Sequence, residues 1–167
     1  METKIRISTI FDCSLERAFL TPMLCDITKV HTGYGFIPRV THCLEDENWG
    51  QEGSSKKVYV EKSLTYAGGF GFIDNIVERV ENKYWKIEVN NFQTNTMGFY
   101  RFVGEWETTQ LEENKILIDY TYTLYSNIIV LYPFNFIFTK IIWRRYMKQI
   151  LENVRKLVND KSPYLFA

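Results

Sequence analysis

The middle of the chain is a series of segments in which apolar and polar residues alternate. The clearest of these segments cover residues 57–61, 84–90, 99–106 and 116–124. A period of two sends successive side chains to opposite faces of a strand, so each segment predicts a strand with one buried and one wetted face. Such alternation is typical of antiparallel sheets, and the polar breaks at 81–83 and 112–114 predict hairpin turns.

One long helix is predicted after these strands, from about Phe134 to Val158. Apolar residues recur in it at helical spacings, which indicates a single apolar face. That stripe consists of Phe136, Trp143, Met147, Ile150, Val154 and Leu157. An antiparallel sheet with one apolar face must be covered by another layer, and this helix is long enough to cover it.

The N-terminal part supplies one more strand and two short helices. Residues 4–8 alternate with period two, Ser14 can cap a helix that Pro22 ends, and a second helix is predicted at 26–30. The predicted fold class is therefore α+β, with a curved antiparallel sheet of about seven strands around a long C-terminal helix. A length of 167 residues suits a single domain, which we place at 1–167.

Charge and cysteine usage exclude several classes of protein. Acidic and basic residues balance at 20 each, so no global charge attracts the chain to nucleic acid, and we expect no such partner. The three cysteines, Cys13, Cys25 and Cys43, form no Cys-x-x-Cys pair and predict no disulfide framework. With no signal peptide visible, we expect a cytoplasmic protein. The apolar run from Ile128 to Trp143 is interrupted and too short to predict a membrane span.

Three motifs in this order of elements resemble those of a known superfamily. The motifs are His31-Thr-Gly-Tyr-Gly-Phe-Ile-Pro-Arg-Val40, Gly104-Glu105-Trp106 and Tyr120-Thr-Tyr-Thr-Leu124. The element order resembles the helix-grip fold of the START-like, or SRPBCC, superfamily. The first motif is similar to a Thr-Gly-Tyr-Gly-x-x-Pro loop in bacterial members grouped with the polyketide cyclases and dehydratases. The resemblance implies a cavity for hydrophobic ligands, and it does not imply a reaction, because one fold serves many functions.

A twisted sheet that curls around one helix tends to leave space between them, and large aromatic residues are candidates to line it. Tyr and Trp combine an apolar body with one polar group, which suits contact with an aromatic, polyketide-like or lipid-like ligand. The predicted ligand-binding residues are Tyr34, Trp85, Tyr100, Phe102, Trp106, Tyr120, Tyr122, Trp143 and Met147.

Catalytic candidates are few. His42 would face inward if it shares a face with Val40 and Leu44, and it could then act as a general base. Asp74 lies two residues from Phe72, so it is either an inward carboxylate with a raised pKa or is turned to solvent by a bulge. The histidines and cysteines fit no zinc spacing, so we predict no metal site and no cofactor.

Three functions remain open from the sequence. The first is binding or carriage of a hydrophobic small molecule between sheet and helix. The second is an enzyme of the cyclase or dehydratase type that uses an acid or base in the cavity. The third is a membrane-associated lipid carrier, because the apolar run 128–134 precedes Arg144, Arg145 and Lys148. A simpler explanation of that run is a strand end followed by a buried helix start.

Overall fold

The first and last strands of the chain pair with each other inside one seven-stranded antiparallel sheet. The computed structural model describes residues 1–94 and 96–166, and the strand order is β1-β7-β6-β5-β4-β3-β2. The strands are β1 Glu2–Asp12, β2 Val40–Glu45, β3 Ser55–Val60, β4 Gly69–Val80, β5 Tyr84–Asn90, β6 Phe99–Glu112 and β7 Lys115–Ser126. The alternating segments of the sequence therefore form strands, as predicted.

Two short helices follow β1, and polar side chains cap both. Helix α1 covers Leu15–Leu24, and Ser14 Oγ accepts the Arg17 N–H at 3.3 Å. Helix α2 covers Ile27–Val30, and the Asp26 carboxylate accepts the Thr28 N–H at 3.0 Å. The prediction that Pro22 ends the first helix is wrong, because Pro22 lies inside α1. Proline removes one backbone hydrogen bond, but the Cys25 N–H still closes the last turn on the Thr21 carbonyl at 3.2 Å.

The long C-terminal helix is confirmed and is continuous from Ile129 to Asn159, although its geometry changes along its length. It consists of a 3₁₀ turn at Ile129–Leu131, α3 at Tyr132–Ile137, a π-helical stretch at Phe138–Trp143 and α4 at Arg144–Asn159. The stripe members Trp143, Met147, Ile150, Val154 and Leu157 are buried against the sheet.

Phe136 was predicted to belong to that stripe, and this prediction is wrong. Its side chain is 45% exposed, whereas Phe138 and Thr139 are buried. A π-helical turn contains more residues than an α-helical one, so it rotates the buried face relative to the residues before it. The apolar stripe therefore continues through Phe138 instead of Phe136.

Two β-bulges reverse the faces that strict alternation predicts. One lies between Val40 and His42, and the other between Phe99 and Arg101. An extra residue in one strand turns each following side chain to the opposite face. The prediction that His42 faces inward is therefore wrong. Its ring is exposed and stacks on that of Tyr59, with ring centroids 4.3 Å apart.

None of the helices in the described part of the chain combines the length and the apolar character needed to cross a membrane.

Candidate functional site

A cavity of about 130 Å³ lies between the sheet and the C-terminal helix. Side chains from β3 to β7 and from the C-terminal helix form its wall, and several loops contribute at one end. Six of the predicted ligand-binding residues line it together: Trp85, Phe102, Trp106, Tyr120, Tyr122 and Trp143.

Three other predicted residues do not line the cavity. Tyr100 is 48% exposed, because the bulge in β6 places Phe99 in the inward position instead. Met147 is completely buried among core side chains. Tyr34 packs against the core, and its N–H donates to the Ile37 carbonyl at 2.9 Å.

The loop that carries Tyr34 nevertheless reaches the cavity through the residues that follow. Phe36, Ile37 and Pro38 line it. The turn requires glycine at position 33, where φ is +81° and a Cβ atom would lie 2.9 Å from the backbone nitrogen of Arg39. The ring of Phe36 stacks on that of Phe138, with centroids 5.7 Å apart, so the loop is held against the C-terminal helix.

The aromatic wall is a continuous series of ring contacts. Trp85 and Trp106 stack at 5.8 Å with 6° between their planes, and Trp106 then meets Tyr120 edge-on at 5.2 Å. Tyr120 meets Tyr122 at 5.4 Å, and Tyr122 meets Trp143 at 5.3 Å. Because each ring is held by its neighbours, the wall is rigid and its polar groups have defined positions.

A buried ion pair interrupts this apolar wall. Lys56 on β3 and Asp74 on β4 are register partners, and both line the cavity. Lys56 Nζ lies 3.7 Å from Asp74 Oδ2 and 4.1 Å from the ring centroid of Trp49. The Lys56 side chain is only 2% exposed. Buried charges are costly unless paired, so this pair is a feature that core packing does not require.

The ion pair leaves part of the Asp74 carboxylate without a partner. Its Oδ1 atom is buried and accepts no hydrogen bond from the described residues. Burial raises the pKa of Asp74, and the nearby Lys56 ammonium partly opposes this rise. A carboxylate whose pKa is raised is a stronger base than a solvated one, and such groups are candidates for proton transfer. The sequence offered two candidates for acid–base chemistry. Asp74 lines the cavity, and His42 lies outside it.

A second polar pair joins the short helix to the long one. His31 Nδ1 and the Tyr146 hydroxyl are 2.8 Å apart, and both residues line the cavity. Burial lowers the pKa of His31 to about 3, and the positive charge of Lys56 adds to this effect. The imidazole is therefore neutral at pH 7 and can both donate and accept a hydrogen bond.

The tyrosine hydroxyls stay protonated. Burial raises the pKa of Tyr120, Tyr122 and Tyr146 well above the ordinary value, and the neighbouring tyrosines add to this for Tyr120 and Tyr146. Neutral phenols donate hydrogen bonds to oxygen or nitrogen acceptors. The cavity therefore presents hydroxyl donors at physiological pH.

Three indole N–H groups add to the unused polar groups. Trp85, Trp106 and Trp143 are buried, and their Nε1 atoms have no hydrogen-bond partner among the described residues. Buried indole nitrogens usually have an acceptor, because an unpaired donor costs free energy. All three residues line the cavity, so acceptor atoms on a ligand could satisfy them.

Sequence reasoning missed Lys56, although the sequence contained a signal for it. Lys56 has the same phase as Val58 and Val60 in the period-two pattern of β3, so the apolar face of that strand includes it. No local pattern predicts the contact between His31 and Tyr146, because the two residues are 115 positions apart in the sequence. Within the described ranges 1–94 and 96–166, no three His, Cys, Asp or Glu side chains form a group that could hold a metal ion.

Comparisons with known proteins identify the fold. No protein-family model matches the chain, and no curated protein matches its sequence significantly. Solved structures do match. Norcoclaurine synthase from Thalictrum flavum, in complex with a transition-state analogue, has a TM-score of 0.67 at 9% identity, with 96% of each chain covered. A protein of unknown function from Staphylococcus aureus, SA2116, has a TM-score of 0.70 at 12% identity, again over 96% of each chain.

A third match is the di-domain ARO/CYC protein StfQ from the steffimycin biosynthetic pathway. Its TM-score is 0.69 at 8% identity, over 96% of this chain and 52% of StfQ. The TM-scores of these three structures show a common architecture. Sequence identities this low do not extend the similarity to activity. These similarities show the fold: the chain has the helix-grip architecture, in which a curved seven-stranded antiparallel sheet packs around a long C-terminal helix.

Proposed function

We propose that this protein binds an apolar small molecule in the cavity between the sheet and the C-terminal helix. The observation that supports this best is an aromatic wall in which Trp85, Trp106 and Trp143 retain unpartnered N–H groups. Apolar walls with a few polar groups are typical of small-molecule sites. The ligand we propose is therefore aromatic or polyketide-like and carries hydrogen-bond acceptors. Its contacts would be Trp85, Phe102, Trp106, Tyr120, Tyr122 and Trp143.

The size of the cavity favours a compact ligand. Its volume of about 130 Å³ is close to that of an engineered cavity of roughly 150 Å³ that holds benzene in another protein. A ring system of similar size fits without rearrangement, whereas a long acyl chain would require the wall to move. We therefore favour a ring-bearing ligand over a lipid with long chains.

Native mass spectrometry of the purified protein, followed by extraction and identification of any bound compound, tests this proposal directly. A titration with 1-anilinonaphthalene-8-sulfonate provides a defined probe, because it is aromatic and carries acceptor oxygens. We expect saturable quenching of tryptophan fluorescence with a stoichiometry of one. Absence of both a bound compound and saturable probe binding would contradict the proposal.

A cavity-filling variant gives a matched test. Val89 is buried and lines the cavity, so Val89→Phe should occupy part of the space and weaken probe binding by roughly tenfold or more. Val77→Phe is the control, because Val77 is exposed on the same sheet. Thermal unfolding of both variants checks that the fold is retained. Equal probe binding by the two variants would place the probe outside the cavity.

The Lys56–Asp74 pair favours a second candidate, an enzyme of the cyclase or dehydratase type. Such reactions move protons to and from carbon or oxygen, which requires a positioned acid or base. Asp74, with its unpartnered Oδ1 atom, would act as the base, and Lys56 would stabilise the carboxylate or a developing oxyanion. Burial raises the pKa of Asp74, which would make its carboxylate a stronger base than a solvated one.

A generic proton-abstraction probe separates binding from catalysis. 5-Nitrobenzisoxazole is a flat aromatic compound that a base opens to a coloured phenolate. If Asp74 is a competent base, the protein should accelerate this opening, Asp74→Asn should remove the acceleration, and Asp74→Glu should restore part of it. The rate should rise with pH as Asp74 loses its proton. If wild type and Asp74→Asn give the same rate while the aromatic probe still binds, the binding function stands alone.

A further inference from the structure

The three most exposed large apolar residues of the described chain lie at the same end of the sheet, in two separate segments. Because all neighbouring strands are antiparallel, the connections before β2, between β3 and β4, between β5 and β6, and after β7 share one end. We call this the loop end, and it consists of residues 31–39, 61–68, 91–94, 96–98 and 127–138. Its segments touch: Thr65 Oγ1 donates to the Phe36 carbonyl at 3.1 Å, and Asn135 Nδ2 donates to the Met97 carbonyl at 3.0 Å.

Large apolar side chains project from the loop end without a partner. Leu64 is 94% exposed, Val130 is 83% exposed and Ile129 is 75% exposed, which are the highest values among the large apolar residues described. Tyr132, Phe134 and Ile137 of the same segment are also exposed. The start of the C-terminal helix is therefore not a buried helix start, which was the simpler explanation of its sequence. Apolar surface concentrated in this way marks a site of interaction.

Positive charge follows this apolar surface along the exposed side of the helix, from Lys140, about 15 Å beyond Val130, to Lys148, about 27 Å beyond it, at 1.5 Å per residue. Residues 127–151 contain Lys140, Arg144, Arg145 and Lys148 and no acidic residue. All four cations are exposed, and none has an ion-pair partner among the residues that the structure describes, although Lys140 Nζ donates to the Lys4 carbonyl at 2.6 Å. In the segments of the loop end, Glu61 is the one acidic residue, and its Oε2 atom lies 3.9 Å from Arg39 Nε.

We propose that the loop end binds the surface of an anionic lipid bilayer. Leu64, Ile129 and Val130 would enter the interface between head groups and acyl chains, and, with the helix inclined to the bilayer, Lys140, Arg144 and Arg145 would face the anionic head groups. A second copy of the chain fits this surface less well, because a symmetric contact through residues 127–151 would place against each other two segments that each carry four cations and no acidic residue. The proposal concerns the outer surface and does not depend on which ligand the cavity binds.

The arrangement has a consequence for the cavity. Phe36, Ile37, Thr65, Tyr66, Met97 and Phe138 of the loop end also line the cavity. A protein bound in this way would hold the loops at that end of the cavity against the bilayer. Binding at the bilayer and binding in the cavity would then occur at the same end of the molecule.

Flotation with phosphatidylcholine vesicles, with and without phosphatidylserine, tests the proposal on the full chain. We expect the protein to float with the anionic vesicles at low salt and to float less at high salt, where charges are screened. The double variant Ile129→Ser, Val130→Ser should lower partitioning by roughly tenfold or more, because each loses burial of a large apolar group. Leu111→Ser is the control, since Leu111 is 47% exposed at the opposite end of the sheet.

A second pair of variants tests the charges. Arg144→Gln with Arg145→Gln should weaken binding to anionic vesicles and flatten its salt dependence, whereas Lys83→Gln in the turn at the opposite end should change neither. The variant Val130→Trp gives a readout that does not depend on a loss of binding. Its emission, after subtraction of the wild-type emission from the four native tryptophans, should shift to the blue when anionic vesicles are added.

Three outcomes would overturn the proposal. One is a wild-type protein that stays unbound on anionic vesicles at low salt. Another is an equal loss of binding in Leu111→Ser and in the Ile129→Ser, Val130→Ser variant. The third is a wild-type protein that does not bind vesicles and sediments as a dimer, while the Ile129→Ser, Val130→Ser variant sediments as a monomer. That result would assign the surface to self-association. Probe binding in the cavity, measured in parallel, distinguishes each of these from a failure of the ligand-binding function.

Discussion

Lys56 and Asp74 lie directly opposite each other on β3 and β4, and they place a buried ion pair in the wall of a largely apolar cavity. The Nζ–Oδ2 distance is 3.7 Å, and Asp74 Oδ1 has no hydrogen-bond partner among the described residues. A pair satisfied in this incomplete way contributes little to stability, because desolvation of both charges offsets their attraction.

Removal of one member of the pair should destabilise the protein, and replacement of both should not. We expect Lys56→Met to lower the free energy of unfolding by about 3–5 kcal/mol, because it leaves Asp74 buried without a cation. The double variant Lys56→Met, Asp74→Leu should unfold at a urea concentration equal to or above that of wild type. A double variant that is as unstable as the single one would mean that the pair is needed for folding.

The pH dependence of stability should report the buried His31. Its pKa falls from 6.5 to about 3 in the folded protein. As the pH drops below 6.5, the unfolded chain binds a proton that the folded protein excludes, so the free energy of unfolding should decrease by up to about 1.4 kcal/mol per pH unit. Urea unfolding of wild type and His31→Gln between neutral and acidic pH measures the difference in slope.

His42→Gln is the matched control for this experiment, because His42 is exposed on β2. We expect its stability profile to follow that of wild type. If His31→Gln also follows wild type through the acidic range, the histidine is not held neutral by the fold.

The contact between the C-terminal helix and the sheet should dominate the stability of the core. Ile150 is 3% exposed and also lines the cavity. We expect Ile150→Ala to cost roughly 2–5 kcal/mol, from lost burial and a larger cavity. Ile141→Ala on the exposed side of the same helix should change stability by less than about 0.5 kcal/mol. Equal effects of the two substitutions in urea unfolding would contradict the packing described above.

Gly104 should be required for the position of the Tyr122 ring. The two residues are register partners on β6 and β7, and a Cβ atom at position 104 would lie 2.9 Å from two ring carbons of Tyr122. We expect Gly104→Ala to cost about 1–3 kcal/mol as the ring is displaced. Because Tyr122 touches Trp143, tryptophan emission should shift as well.

A double variant identifies the cause of that cost. In a Tyr122→Leu background the aromatic ring is absent, so Gly104→Ala should then have little effect on unfolding in urea. A cost that persists in this background would assign the requirement for glycine to the backbone of β6 instead.

The repeating patterns of the sequence determined the architecture. The alternation in 84–90 and 116–124 and the spacing from Trp143 to Leu157 were sufficient to predict an antiparallel sheet covered by one helix. These patterns are local, since a side chain's face follows from its position within its own strand or helix. Six of the nine predicted ligand-binding residues line the cavity; five of these lie on strands and follow the period of two, and Trp143 lies on the predicted apolar stripe of the helix.

The tertiary structure decided the points at which that period breaks. Bulges near His42 and Tyr100 and the π-helical turn before Trp143 each add residues to a regular element, and the faces of neighbouring side chains change accordingly. Pairs such as Lys56–Asp74 and His31–Tyr146 depend on strand register and helix docking between distant parts of the chain. No local pattern encodes those distances, so the aromatic wall and the candidate Asp74 were predictable from the sequence, whereas the partners of Asp74 and His31 were not.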